Sequence, residues 1–289
     1  MMQSVAIAAA LLLPGFATHA EPAQLRPQVG DTYELRRDKE FSQHASDGSS
    51  ASSSDQDVIV ERVVALREAG LELQYDLPRD ATAQDRLDNW QFPVRVFKPA
   101  RGPLQLLNQS ELEARVDPWL KTAGLSRAAC GRWIFTWNAF RIECDPQSAI
   151  RALEPFDMGP ADLREGALYR DPKAGGQAAL ARRTITPGGA TFIVEMAADP
   201  DAVRREQAES DVAVAEMSRK TLPLEAALRA RSAEEISGTI TITFDTDSIG
   251  RVWRRTKITK LETKRPGGRV EDQTVTETLE RRPIARRHS

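Results

Sequence analysis

Few residues in this chain have the type and spacing that catalysis requires. His44 stands among Ser42, Ser46, Asp47 and Ser49, the residue types of a nucleophile with its base. Catalysis needs such groups on rigid support. The Ser-rich, Gly-containing stretch from Ser42 to Ser54 reads instead as a flexible loop. The other histidines, His19 and His288, lie near the two ends, so a His-dependent triad or a His-rich metal site is hard to assemble. Glu111 with Glu113, and Glu143 with Asp145, are carboxylate pairs of the kind that cleave glycosides, but in a chain with 42 acidic residues such pairs arise by chance. Asp245, Asp247 and Gly250 match a fragment of a calcium loop whose later ligands are missing, and they read as a hairpin turn.

Whole enzyme classes drop out for lack of motif. There is no Gly-x-Ser-x-Gly elbow, no Ser-x-x-Lys, no phosphate-binding loop and no dinucleotide-binding glycine pattern. The expectation is a protein without catalytic residues, metal or cofactor.

The two cysteines, Cys130 and Cys144, carry the clearest local chemistry. An even count in an exported chain reads as a disulfide, and this spacing lacks the closeness of redox or zinc motifs. The residues between them fold back near Trp137-Asn138, which predicts a strand pair closed by the bridge. Trp119, Trp133, Phe135, Trp137 and Phe140 crowd the same part of the chain. Aromatics beside a disulfide form core, or else the wall of a cavity, and these five are the candidate ligand contacts.

Export is predicted from the first residues. An apolar run from Val5 to Leu13 is followed by Pro14-Gly15 and by Thr18-His19-Ala20, the order of a signal peptide cleaved before Glu21. That run is too short to span a bilayer and no second one follows, so no transmembrane segment is expected in the mature chain. The compartment is periplasmic or secreted. A formal net charge of -2 gives no reason to expect nucleic acid. From Arg251 to Arg287 twelve Lys or Arg face five Asp or Glu, which a solvated strand face and a basic tail explain most simply.

The positioning elements are mostly strands. Gly30 to Leu35 opens the first, and Asp57 to Arg67 and Leu71 to Tyr75 make a hairpin about Gly70. A helical turn at Ala81 to Asn89 precedes a strand at Trp90 to Val96 that Pro93 demotes to an edge or a bulge. Asn108, three residues before Glu111, caps a helix that Pro118 kinks or restarts; Asn108-Gln109-Ser110 is also a glycosylation acceptor, which the cap explains without further assumptions. Asp145-Pro146 opens a short helix. Strands near Ala178 to Thr186 and Thr191 to Met196 lead to a long helix opened by Asp199-Pro200 and interrupted at Pro223. Three antiparallel strands finish the chain, with Ile240, Ile242 and Phe244 alternating with threonines.

The expected organisation is a signal peptide at 1–20, a strand-rich half with the disulfide at 21–160, a second strand-rich half with the long helix at 161–280, and a basic tail at 281–289. Gly30-Asp31-Thr32-Tyr33 and Gly166-Ala167-Leu168-Tyr169 suggest that the halves are copies of one unit. The fold class is α+β, predominantly antiparallel β-sheet, curved or half-barrel-like, with inserted helices. In architecture alone this is similar to the half-barrel carriers that shuttle lipids or lipoproteins across the periplasm, a likeness that transfers no residue. The function expected is a non-enzymatic envelope protein that binds a lipid or other apolar ligand between sheet and helices. The alternatives are a module that binds another envelope protein and, third, a carboxylate-dependent hydrolase.

Overall fold

The computed structural model describes residues 27–100, 102–135, 139–160 and 163–285. The expected signal peptide and its cleavage site lie outside them. The chain forms β1 (Thr32–Ala45), β2 (Ser50–Arg67), β3 (Gly70–Asp76), α1 (Ala83–Asp88), β4 (Val94–Pro99), β5 (Gln105–Leu106), α2 (Gln109–Thr122), β6 (Trp133–Phe135), β7 (Ala139–Arg141) and α3 (Ser148–Leu153). It continues with β8 (Leu168–Arg170), β9 (Gln177–Ala179), β10 (Ala181–Thr186), β11 (Gly189–Ala197), α4 (Pro200–Met217), α5 (Leu224–Ala230), β12 (Glu235–Thr246), β13 (Val252–Lys264) and β14 (Val270–Pro283).

One open antiparallel sheet of ten strands runs through both halves in the order β10-β11-β12-β13-β14-β1-β2-β3-β4-β5. The α+β class is therefore correct. The first long strand pairs with the last: Leu35 stands opposite Arg281 and Phe41 opposite Val275. One face of this sheet is apolar at both ends. Leu35, Ile59, Val63, Leu73, Tyr75, Val94 and Val96 pack under Leu112, Val116 and Leu120 of α2 and Ala149 and Leu153 of α3. On the same face, Phe192, Val194, Met196, Ile236, Ile240, Ile242 and Phe244 pack with Ala174, Leu180, Ala198 and Val203. Alternation places these residues together, because successive side chains point to opposite faces of a strand. The other face carries Thr239, Thr241, Thr243, Thr256, Thr274, Thr276 and Thr278, none of them buried.

Between the two apolar ends the floor of the covered face is ionic. Arg37 bonds both Asp57 at 3.0 Å and Glu277 at 2.9 Å. Lys257 pairs with Asp171 at 2.6 Å, with side chains only 14% and 5% exposed. Burial raises the Glu277 carboxyl, but the bond from Arg37 and the charges of Arg37, Lys257 and Lys39 outweigh it and hold the group below its ordinary value. Over this floor Arg255 donates to the carbonyl of Asp157, and Gly159 lies against the ring of Phe244.

Several local expectations need correction. Ser42 to Ser54 is not a loop: β1 continues to Ala45 and β2 starts at Ser50, joined by a tight turn in which Gly48 has φ 86°. Asp47-Gly48 is a hairpin signal, and Asp47 accepts from the Ser49 N–H and hydroxyl at 2.9 and 2.6 Å. Asn108 does not cap α2 through its side chain. Its carbonyl oxygen accepts from the Arg95 N–H at 2.9 Å, satisfying a sheet backbone group in preference to a helix end. Pro118 neither ends nor restarts α2, which runs through it; the carbonyl it frees belongs to Ala114, an exposed residue. The tail begins later than Arg281, since β14 extends to Pro283.

The two halves share part of an order. A hairpin, a helix and a neighbouring strand occur as β2-β3-α1-β4 and again as β10-β11-α4-β12, though α5 has no counterpart. The opening strands differ: β1 lies inside the large sheet, while β8 pairs only with β9 in a separate two-stranded sheet. The units starting at Gly30 and Gly166 therefore connect their strands differently.

Candidate functional site

A recess of about 490 Å³ opens where β2 meets the helical cover. Gln56, Asp57, Val58 and Ile59 of β2 form one wall; Leu77, Pro78, Asp80, Ala81, Asp85, Asn89 and Phe92 form the second; Ala152, Pro155 and Phe156 form the third. The second wall is built by short-range bonds. Thr82 and Asp85 make a reciprocal capping box at the start of α1, and Arg86 ties the helix to Asp76 at 3.2 Å. Hydrogen bonds from Thr82 hold the Asp85 carboxyl below its ordinary value. The third wall hangs from α3, whose Leu153 is in the core. The apolar side chains Ile59, Leu77, Phe92 and Phe156 share the recess with three carboxylates, and no Lys, Arg or His lines it. A second hollow of about 540 Å³ lies along the sheet itself at Glu40, Ser42, Ser52, Ser54, Thr274 and Thr276 and has one aromatic neighbour, Phe41.

The residues singled out in the sequence lie elsewhere. Cys130 and Cys144 form a disulfide with Cα atoms 5.5 Å apart and pack against the N-terminal core. The strand pair they close is present, with Trp133 opposite Arg141 and Phe135 opposite Ala139. Trp119 stacks on Trp90 at 5.6 Å between ring centroids, so its ring is spent within the core. Trp133 is half-buried, and its backbone N–H donates to the Glu216 carboxylate of α4 at 3.3 Å. Trp137 and the side chains of Phe135 and Phe140 lie outside the described residues. Neither Trp119 nor Trp133 lines the recess. Ile59, Leu77, Phe92 and Phe156 do, and as single apolar residues scattered over a hundred positions they carry no shared sequence signal.

The carboxylate pairs are engaged structurally. Glu113 bonds Arg127 at 3.1 Å, Glu143 bonds Arg151 at 2.9 Å, and Asp145 accepts from the Gln147 N–H at 2.9 Å. Asp247 accepts from the N–H groups of Ile249 and Arg251, holding the turn after β12. His44 stands in β1 opposite Ser50 and Asp272. Among the described residues no group of three or more His, Cys, Asp or Glu is placed to hold a metal, and no helix is long and apolar enough to cross a membrane. One edge strand of the sheet, β10, carries Arg182, Arg183 and a register shift between Arg182 and Thr184, devices that discourage pairing with another strand.

No protein-family model matches the chain, and no curated protein matches it. Among solved structures it is similar to a lipovitellin, described under "lipid-protein interactions in lipovitellin", with a TM-score of 0.36 and 10% identity over 91% of this chain and 26% of that one. The chain thus spans about a quarter of that protein's length. An inactive mutant of the CurJ dehydratase gives a TM-score of 0.11 at 10% identity, over 86% of this chain and 75% of the other. At these scores neither likeness carries an argument about function.

Proposed function

We propose that this protein is a non-enzymatic binding protein of an oxidising compartment outside the cytoplasm, which holds an amphipathic ligand between its sheet and its helical cover. The carrying observation is the recess at β2, where Ile59, Leu77, Phe92 and Phe156 share the lining with Gln56, Asn89 and three aspartates. Its volume is within the range of small-molecule sites, which are concave and largely apolar with a few polar groups that orient the ligand. The Cys130–Cys144 bridge supports the compartment, because disulfides persist where the milieu is oxidising. The apolar run and small-residue site in the first twenty residues support export.

Fluorescence of the apolar probe N-phenyl-1-naphthylamine tests the reading. The full chain should enhance it saturably, and dodecyl maltoside below its micelle concentration should displace it. Ala152→Trp places an indole into the recess from its half-buried rim and should abolish the enhancement while leaving the melting temperature within a few degrees. Equal enhancement by this variant would remove the recess as the site.

A further inference from the structure

We infer that this chain forms a two-fold dimer by pairing a free stretch of β2 with the same stretch of a second copy. The inference stands apart from what the recess holds. It starts from a step in the large sheet, where β2 pairs with β1 from Ser50 onward while β3 reaches only as far as Val60, opposite Asp76. Residues 50–57 therefore have a strand on one side alone, and each of them is exposed. Two bonds give the phase of the ladder: the Ala45 N–H donates to the Ser49 carbonyl, and the Val63 N–H donates to the Asp31 carbonyl, each at 2.9 Å. Odd-numbered residues of this stretch thus turn their backbone groups toward β1, and even-numbered ones turn away. The backbone groups of Ser50, Ser52, Ser54 and Gln56 have no protein hydrogen-bond partner among the described residues.

Such a row is a template for another strand, and sheets ordinarily blunt it with charges, bulges or brevity. The two outermost strands follow that rule: β10 has its arginines and register shift, and β5 is only two residues long. Between Ser50 and Asp57 there is no Lys, Arg, Pro or register shift. A second copy fits this edge because the stretch is self-complementary. From Asp57 on, Leu77 and Pro78 face β2 across the recess, so the clear run is residues 50–56, with Ser53 at its midpoint. An antiparallel pair about that point sets Ser52 opposite Ser54 and Ser50 opposite Gln56, which brings the outward backbone groups together, and it sets Asp55 opposite Ala51. No acid faces an acid. The run from 50 to 54 is serine and alanine throughout, so no bulky side chain holds the backbones apart. The two-fold uses both free stretches at once, and assembly stops at two copies.

Sedimentation equilibrium of the full chain from about 1 to 100 μM, a range over which mass action moves a monomer–dimer equilibrium, should give a mass that rises to twice that of the chain. Ser54→Pro removes an outward N–H that the ladder with β1 does not use, a place where edge strands tolerate proline. It should keep the chain monomeric with its melting temperature within a few degrees. Ser52→Lys/Ser54→Lys sets like charges opposite each other across the two-fold and should do the same with the backbone untouched. Ser53→Cys would stand at a non-hydrogen-bonded pair on the two-fold, where Cα atoms are about 4.5 Å apart and within disulfide reach. With dissolved oxygen as the oxidant it should cross-link into a covalent dimer in preference to Ser52→Cys, whose sulfur points to the other face opposite Ser54. A monomer at every concentration overturns the pairing, whatever other strand the edge takes up. A dimer that survives both Ser54→Pro and the double lysine variant, or that cross-links equally through Ser52→Cys, puts the contact elsewhere and overturns it as well.

Discussion

The guanidinium of Arg281 in β14 lies over the ring of Tyr33 in β1, with its central carbon 3.6 Å from the ring centroid. The same guanidinium ion-pairs with Glu61 in β2, whose other oxygen accepts from the Tyr75 hydroxyl in β3 at 2.8 Å. Four neighbouring strands therefore meet at one carboxylate that is 9% exposed. This cluster joins the last strand to the first three at the border of the N-terminal core.

Removing one member of a buried pair leaves a charge without compensation, which costs about 3 to 5 kcal/mol. Arg281→Ala should lie near the lower end, since Arg281 remains 20% exposed. Arg281→Lys should recover only part of it, because an ammonium lacks the planar face that stacks on Tyr33. Arg281→Met with Glu61→Leu should recover most, having no charge to strand. Urea unfolding midpoints measure all three; a shift in Arg281→Ala worth less than about 0.5 kcal/mol, the noise of a surface change, would show that the pair is dispensable.

Two glycines with positive φ should respond differently to alanine. Gly48, φ 86°, has no heavy atom within 4 Å of an added Cβ, so Gly48→Ala carries only the backbone penalty of about 1 to 2 kcal/mol. At Gly189, φ 143°, the same Cβ would sit 1.8 Å from the Thr246 carbonyl oxygen. The β10–β11 turn must then move off β12, and Gly189→Ala should cost more than about 3 kcal/mol, at the severe end of single substitutions. Thermal melts of the two variants side by side decide it.

The bridge should be a substantial part of the stability. Closing a loop of about 15 residues is worth about 3 kcal/mol on the chain-entropy model, so Cys130→Ser/Cys144→Ser should melt several degrees lower. The oxidised chain should show no thiol under denaturing conditions. Two titratable thiols in protein taken from an oxidising compartment would contradict the bridge.

Stability should fall at both ends of the pH range for identifiable reasons. Burial, with Glu61 beside it, raises the Tyr75 phenol well above its ordinary value. The unfolded chain then releases this proton near pH 10 while the folded one keeps it, so stability is full below that pH and is lost as pH rises further. Glu277 is lowered in the folded state, so its contribution is present above about pH 4.3 and is lost as pH falls. Tyr75→Phe should flatten the alkaline decline and Glu277→Gln the acid one, read from melting temperature against pH. An unchanged alkaline slope in Tyr75→Phe would assign that decline to other groups.

Local patterns were legible wherever one element carries its own instruction. Ile240, Ile242 and Phe244 alternate with threonines and form β12; Asp199 before Pro200 caps α4 through its side chain; and the folding point between Cys130 and Cys144 predicts both the strand pair and the bridge. The serines of β1 and β2 misled, because serine favours turns in isolation. Here each is paired across a ladder, Ser42 with Ser52 and Phe41 with Ser53, and the neighbouring strand outweighs the local preference. Asn108 misled for a related reason. A cap is a local bond, and the nearby N–H of Arg95 offered a competing one that only the folded sheet brings within reach.

By itself, then, the sequence determined the strand alternation, most of the hairpin turns and helix starts, the disulfide, and the absence of familiar catalytic motifs. The tertiary structure decided that β1 pairs with β14, that both apolar clusters lie on one face of one sheet, and that Trp119 is spent on Trp90 while Ile59, Leu77, Phe92 and Phe156 line a recess. The division is physical. Alternation, caps and turns arise from interactions within a few residues, which a linear pattern can carry. Strand order and the walls of a cavity depend on which distant surfaces bury each other most completely, and that choice belongs to the whole chain at once.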